Sequence, residues 1–221
     1  MPRTARVVAE GLPHHVTQRG NRRTDIFLDD DDRVKYLDFL ERYGKKHGME
    51  ILAYCLMSNH VHLVVVPKQA ASLAHALAAA HTRYAQFFNW KYHQSGHLWQ
   101  GRFFSCVLDE QHTLAAVRYV ERNPLRAGLV GRPWDYRWSS ARAHISEMKG
   151  SVLAERWPPD ELRAQWREFL VETDNGQKAA EIRLHTRRGC PLGSDDFVRK
   201  LERIFGREMV IRSWGRPRKK L

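Results

Sequence analysis

Two apolar runs separated by only two residues constrain the fold of this chain more than any other feature. Met49 to Met57 and His60 to Pro67 are joined by Ser58-Asn59, a connection long enough only for a tight antiparallel hairpin. The second run opens on His60-Val61-His62. Strand side chains alternate between faces, so the two imidazoles project from one side and Val61, Leu63 and Val65 from the other. Neutral imidazoles on a rigid strand can clamp a divalent cation, and such a cation polarises the oxygens of a phosphate undergoing transfer. Two ligands do not close a metal site. The pair by itself therefore also fits partly exposed strand histidines without a ligand.

Around this hairpin the chain alternates strand and helix signals. A short strand is expected from His14 to Gln18, ending at Arg19-Gly20-Asn21. Asp29 to Asp32 then offers a cap and favourable charge for a helix whose buried face is Val34, Leu37, Leu40 and Tyr43. A second helix runs from Ser72 to about Trp90, and the turn-rich stretch His93 to Arg102 leads into a strand from Phe103 to Leu108. Asp109 can cap a third helix, Glu110 to Asn123, which Pro124 ends. This order predicts an α+β fold: a ferredoxin-like split βαβ arrangement, an antiparallel sheet with helices on one face. Beyond it, helical patterning resumes from Pro158. The expected organisation is a main domain over 1–145, a small C-terminal helical extension over 146–208 and a basic tail over 209–221.

Charge narrows the partners. With 37 Lys and Arg against 25 Asp and Glu the formal net charge is +12, which favours a polyanion and above all nucleic acid. No apolar run approaches the ~20 residues of a membrane span, so no membrane partner is expected. Met1 to Gly20 lacks the apolar core of a secretory signal. Cys55, Cys106 and Cys190 form neither a disulfide framework nor a thiolate cluster, so a cytoplasmic location is expected.

The third helix supplies a second group of interest. At 100° per residue, Leu114, Ala116, Val117 and Val120 form an apolar stripe, and His112, Ala115, Tyr119 and Asn123 fall opposite it. A phenol so placed can act as a nucleophile where a nearby cation stabilises the charge developing at phosphorus. By itself, a tyrosine on the polar face of a helix is more often ordinary amphipathic packing. His112 shares the tyrosine's side but lies nearly two turns away, a poor position for a proton acceptor.

Taken with His60-Val61-His62, the segment Arg118-Tyr119-Val120-Glu121-Arg122-Asn123-Pro124-Leu125-Arg126-Ala127-Gly128-Leu129-Val130 resembles the single-tyrosine transposases of the HUH endonuclease superfamily. The nearest likeness is to their REP-associated branch. His15-Val16-Thr17-Gln18-Arg19-Gly20-Asn21 and Leu98-Trp99-Gln100-Gly101-Arg102-Phe103 fit the same pattern, and the likeness spans roughly Leu12 to Ser140. The resemblance implies that His60 and His62 bind Mg²⁺ or Mn²⁺ and that Tyr119 attacks a DNA phosphate. A covalent 5′-phosphotyrosine would form with release of a 3′-hydroxyl, and the bond so stored would let the strand be rejoined without a nucleotide cofactor. Asn123, one turn beyond the tyrosine, is the candidate third ligand, its amide oxygen suiting a hard cation. It can instead satisfy the helix end before Pro124.

The same likeness implies a single-stranded or hairpin DNA of the REP palindrome type as substrate, worked on by a monomer or a homodimer. Backbone cations and aromatic planes grip such a strand. Arg19, Asn21, Arg22 and Arg23 form one candidate cluster; Trp99, Arg102, Phe103 and Arg126 form another, although Trp99 and Phe103 also suit a core. Arg216 and Arg218, in Gly215-Arg216-Pro217-Arg218, resemble the core of an AT-hook. A rival reading, a non-catalytic nucleic-acid-binding module with an RNA-recognition-like sheet, accounts for the basic charge but has no need of the histidines and the tyrosine together.

Overall fold

The computed structural model describes residues 6–146, 152–155, 157–172 and 176–211. Strands β1 (His14–Arg19), β2 (Met49–Leu56), β3 (His60–Pro67) and β4 (Phe104–Val107) form a four-stranded sheet in the order β2-β3-β1-β4. Every neighbouring pair is antiparallel. The β2–β3 hairpin closes as its spacing requires, with Met57 N–H donating to the His60 carbonyl at 2.9 Å across Ser58-Asn59. The turn is anchored from outside, since the Ser58 carbonyl accepts from the N–H groups of Ile26 and Phe27.

Helices α1 (Asp30–His47) and α2 (Ser72–Lys91) lie against one face of the sheet. The α1 cap is the one the aspartate run offers: Asp29 accepts from Asp32 N–H, and Gly48 ends the helix at φ 66°, a left-handed conformation costly for any other residue. Tyr36, Leu40, Leu73, Leu77 and Tyr84 meet Val16, Val61, Leu63 and Val65 in this core.

The α+β class and the antiparallel sheet agree with the sequence, but the helices do not keep to one face. Helix α3 (Glu110–Glu121) packs across β2 and β3 on the opposite side, where Ala116, Val117 and Val120 meet Ala53, Cys55 and Val64. The physical reason is that the strands alternate apolar residues on both sides: Val64 and Cys106 are as buried as Leu63 and Val16. Pro124 stands in the first turn of a separate short helix, α4 (Asn123–Arg126), so α3 ends at Glu121 and Asn123 is not on it.

After α5 (Ala141–His144) come α6 (Asp160–Arg163), α7 (Trp166–Val171), α8 (Gln177–Arg188) and α9 (Asp195–Phe205). Buried Glu121 ties this region to α3, accepting from Ser140 Oγ at 2.5 Å and from Trp166 Nε1 at 2.9 Å. Helix α8 lies along β4 and β1 and touches α3. Residues Arg216 and Arg218 lie outside the described residues. Among the described residues no helix is long and apolar enough to cross a membrane.

Candidate active site

The antiparallel register decides which side chains share the α3 face. His60 stands opposite Arg19, His62 opposite Thr17 and Cys55, and Val64 opposite His15, so these residues project together. The His60 and His62 rings lie 4.9 Å apart at 80° to each other. His15 stacks on His62 at 5.3 Å with the planes 13° apart.

Each histidine of the pair has one nitrogen occupied. Asn59 Nδ2 donates to the Arg23 carbonyl at 3.2 Å, which turns the amide oxygen of Asn59 toward His60. His60 Nδ1 meets that oxygen at 2.6 Å and must carry the proton, leaving Nε2 with a lone pair. His62 Nδ1 is engaged by His15 Nε2 at 3.1 Å. Burial, reinforced by Arg19, pushes His60 down to about 4. Burial also carries His62 well below the ordinary imidazole range, with His15, His60 and Arg126 adding to the effect. Both rings are neutral at pH 7, the form that ligates metal.

Tyr119 reaches this face from α3. Its ring stands edge-on to His62 at 5.4 Å and to His15 at 5.6 Å. The phenol is thus not on an outward polar side of α3, as the helical wheel suggests. It is only 5% exposed, because α3 is covered by the sheet on one flank and by α7 and α8 on others. The Arg126 guanidinium sits 4.2 Å from the Tyr119 ring centroid and donates to its backbone carbonyl at 2.8 Å. That places a cation over the ring where negative charge would develop. His112 is held at the start of α3 by Asp109, its Nδ1 2.6 Å from the carboxylate, and serves the cap.

Two neutral imidazoles with a hydrogen-bonded second nitrogen fit a divalent ion. Among the described residues no three His, Cys, Asp or Glu side chains converge as a complete cage, so other positions would fall to amide oxygen, water or phosphate. Asn123 carries a buried Nδ2 with no hydrogen-bond partner, a side chain with capacity to spare. No contact joins it to either histidine in the described structure.

The remaining candidates separate into surface and core. Arg19, Asn21, Arg22 and Arg23 are exposed and lie beside the hairpin turn; Arg22 and Arg23 take left-handed φ of 52° and 64°. Arg102 is exposed on a cleft of about 300 Å³ shared with Arg6, Arg187 and Arg188, a basic surface that sequence spacing does not reveal. Trp99 is half-buried: its indole N–H donates to the His81 carbonyl at 2.9 Å and its ring packs on His81 and Tyr84. Phe103 is buried, under the Arg6 guanidinium. His15 and Asn59 escape a search for ligand spacing because they touch the histidines rather than a ligand. His15 becomes visible once β1 is paired with β3.

Residues 9–123 match the family model described as IS200-like transposase. Among solved structures, a REP-associated tyrosine transposase bound to a REP hairpin is similar at 17% identity and a TM-score of 0.54, over 70% of this chain and 92% of that one. A protein of Deinococcus radiodurans R1 assigned as a transposase is similar at 22% identity and a TM-score of 0.39, over 55% of this chain and 97% of that one. No curated protein matches the chain in sequence.

Proposed function

The chain belongs to the IS200-like transposase family, and from that premise we propose that it cuts and rejoins single-stranded DNA through Tyr119. The observation that carries this reading is the edge contact between the Tyr119 and His62 rings within one chain. The phenol oxygen attacks phosphorus and forms a P–O bond to tyrosine. The bond from phosphorus to the 3′ oxygen breaks, the phenolic proton is lost to solvent, and the departing oxygen is protonated to a 3′-hydroxyl. Reversal of these steps reseals the strand with no nucleotide cofactor.

His60 and His62 would hold Mg²⁺ or Mn²⁺ through their Nε2 lone pairs, with Asn123 a further candidate ligand; the ion supplies Lewis-acid stabilisation of charge on the phosphate. Arg126 holds positive charge over the Tyr119 ring. Arg19, Asn21, Arg22 and Arg23 would take the DNA backbone beside the hairpin turn, with Arg102 on the second basic surface. A palindromic hairpin of the REP type is the substrate class, supported by the hairpin bound to the structurally similar transposase. Because the tyrosine sits beside its own chain's histidines, a monomer working in the cytoplasm suffices.

The test is a covalent adduct. Incubation with hairpin oligonucleotides carrying single-stranded flanks and Mn²⁺ is expected to give a species that survives denaturing electrophoresis. Tyr119→Phe should abolish it, and so should chelation of the metal. An adduct formed equally by Tyr119→Phe would overturn the assignment. Tight hairpin binding without any cleavage would favour the non-catalytic binding module.

A further inference from the structure

Helix α8 lies outside residues 9–123, the part of the chain that carries the family match, yet one of its side chains reaches the candidate site. Thr186 is 1% exposed, and its Oγ1 lies 2.6 Å from His15 Nδ1. His15, also 1% exposed, meets His62 Nδ1 through its other nitrogen at 3.1 Å. Thr186 Oγ1 donates to the Ile182 carbonyl at 2.7 Å, one turn back along α8. Cys106 Sγ, on β4, stands 3.2 Å from the same hydroxyl.

These contacts have a direction. A carbonyl can only accept, so the single Thr186 hydroxyl proton is spent on Ile182 and its oxygen must accept from His15 Nδ1–H. A neutral imidazole carries one proton, so His15 Nε2 is a lone pair and must accept from His62 Nδ1–H. His62 then keeps its own lone pair on Nε2. Running the chain backwards would put the His62 proton on Nε2 and leave that nitrogen unable to ligate. Cys106 fits the first polarity as a thiol donor to the second lone pair of Thr186.

We propose that Thr186, acting through His15, is a positioning residue that fixes His62 in its Nδ1–H tautomer and so keeps the His62 Nε2 lone pair available to a divalent cation. This rests on reading His60 and His62 as metal ligands. His60 receives the same setting locally, from the neighbouring Asn59 and the Arg23 carbonyl. His62 receives it from a helix far along the chain, which gives the C-terminal helical region a part in the site beyond covering α3.

Thr186→Val keeps the shape and removes the acceptor. His15 Nδ1–H would then be buried without a partner, so the proton should move to His15 Nε2, which donates to His62 Nδ1 and drives the His62 proton to Nε2. Long-range ¹⁵N–¹H correlation spectra of the full-length, metal-free protein read the tautomers directly. His15 and His62 are expected as Nδ1–H in the wild type and in Thr186→Ser, with His62 shifted to Nε2–H in Thr186→Val. Mn²⁺ titration should show affinity lowered about 10- to 100-fold in Thr186→Val and restored in Thr186→Ser.

His62 found as Nε2–H in the wild type would overturn the proposal even if Thr186→Val failed to fold. An unchanged tautomer in a folded Thr186→Val would overturn it too. Should the spectra follow the expected pattern while the wild type binds no Mn²⁺, the relay would stand and the metal reading of His60 and His62 would fall.

Discussion

On the face covered by α1 and α2, Val16, Val61, Leu63 and Val65 pack fully buried against Tyr36, Leu40, Leu73 and Leu77. On the face covered by α3 and α8, alternate positions of the same strands present His15, Thr17, His60 and His62. The backbone is shared, so the difference lies only in which residues fill the odd and even positions and what lies across from them. Apolar side chains need only volume opposite them. A buried imidazole N–H needs an acceptor, and here the partners of the His62, His60 and His15 Nδ1 atoms arrive from β1, the hairpin turn and α8 respectively. The second face is consequently the one that depends on distant parts of the chain.

Acidification probes both faces together and carries the largest expected effect. Burial holds His14 down to about 4 and His15 and His81 down to about 3. These groups stay neutral when folded but take up protons below about 6.5 when unfolded, so their contribution is complete above that pH. It declines as pH falls from 6.5 toward 4 and 3. At pH 5 each histidine should cost about 2 kcal/mol relative to pH 7. Urea unfolding at the two pH values checks this, and an unchanged midpoint would refute it.

Leu63→Ala then separates the faces. Removing a fully buried side chain from the α1 and α2 side should cost about 3 kcal/mol, lowering the melting temperature while leaving Mn²⁺ affinity of the folded protein within about twofold of wild type. A tenfold loss of affinity would show that the two faces are mechanically coupled.

Arg126→Gln is the converse and the smallest change. Its side chain is exposed but lies over Tyr119, so stability should shift by less than about 1 kcal/mol while adduct formation slows about tenfold, as loss of ~1.4 kcal/mol of cation–ring stabilisation would give. Equal rates would remove Arg126 from the chemistry.

Much of the architecture was legible because it is local. The two-residue spacer dictates the hairpin, Asp29 and Gly48 bracket α1, and period-two alternation puts His60 and His62 together. Three features resisted for physical reasons. A strand apolar on both sides does not say which face the helices choose, and here they take both. A helical wheel assumes one buried side, whereas α3 has several, so the wheel puts Tyr119 outward although it is buried. Trp99 and Phe103 have the composition of a base-stacking platform, and only tertiary structure shows Trp99 half-buried against His81 and Tyr84 and Phe103 buried under Arg6.

The sequence by itself determined the sheet-forming hairpin, the paired imidazoles on one strand face and the presence of a tyrosine helix after the fourth strand. Tertiary structure alone decided that Tyr119 meets His62, that His15 stacks on His62 and that Thr186 closes the chain of hydrogen bonds. Local order follows from alternation and turn length, which are properties of neighbouring residues. The direction of a proton along Thr186, His15 and His62 depends on a carbonyl in α8 brought to the sheet by packing, and nothing in the spacing of these residues encodes it.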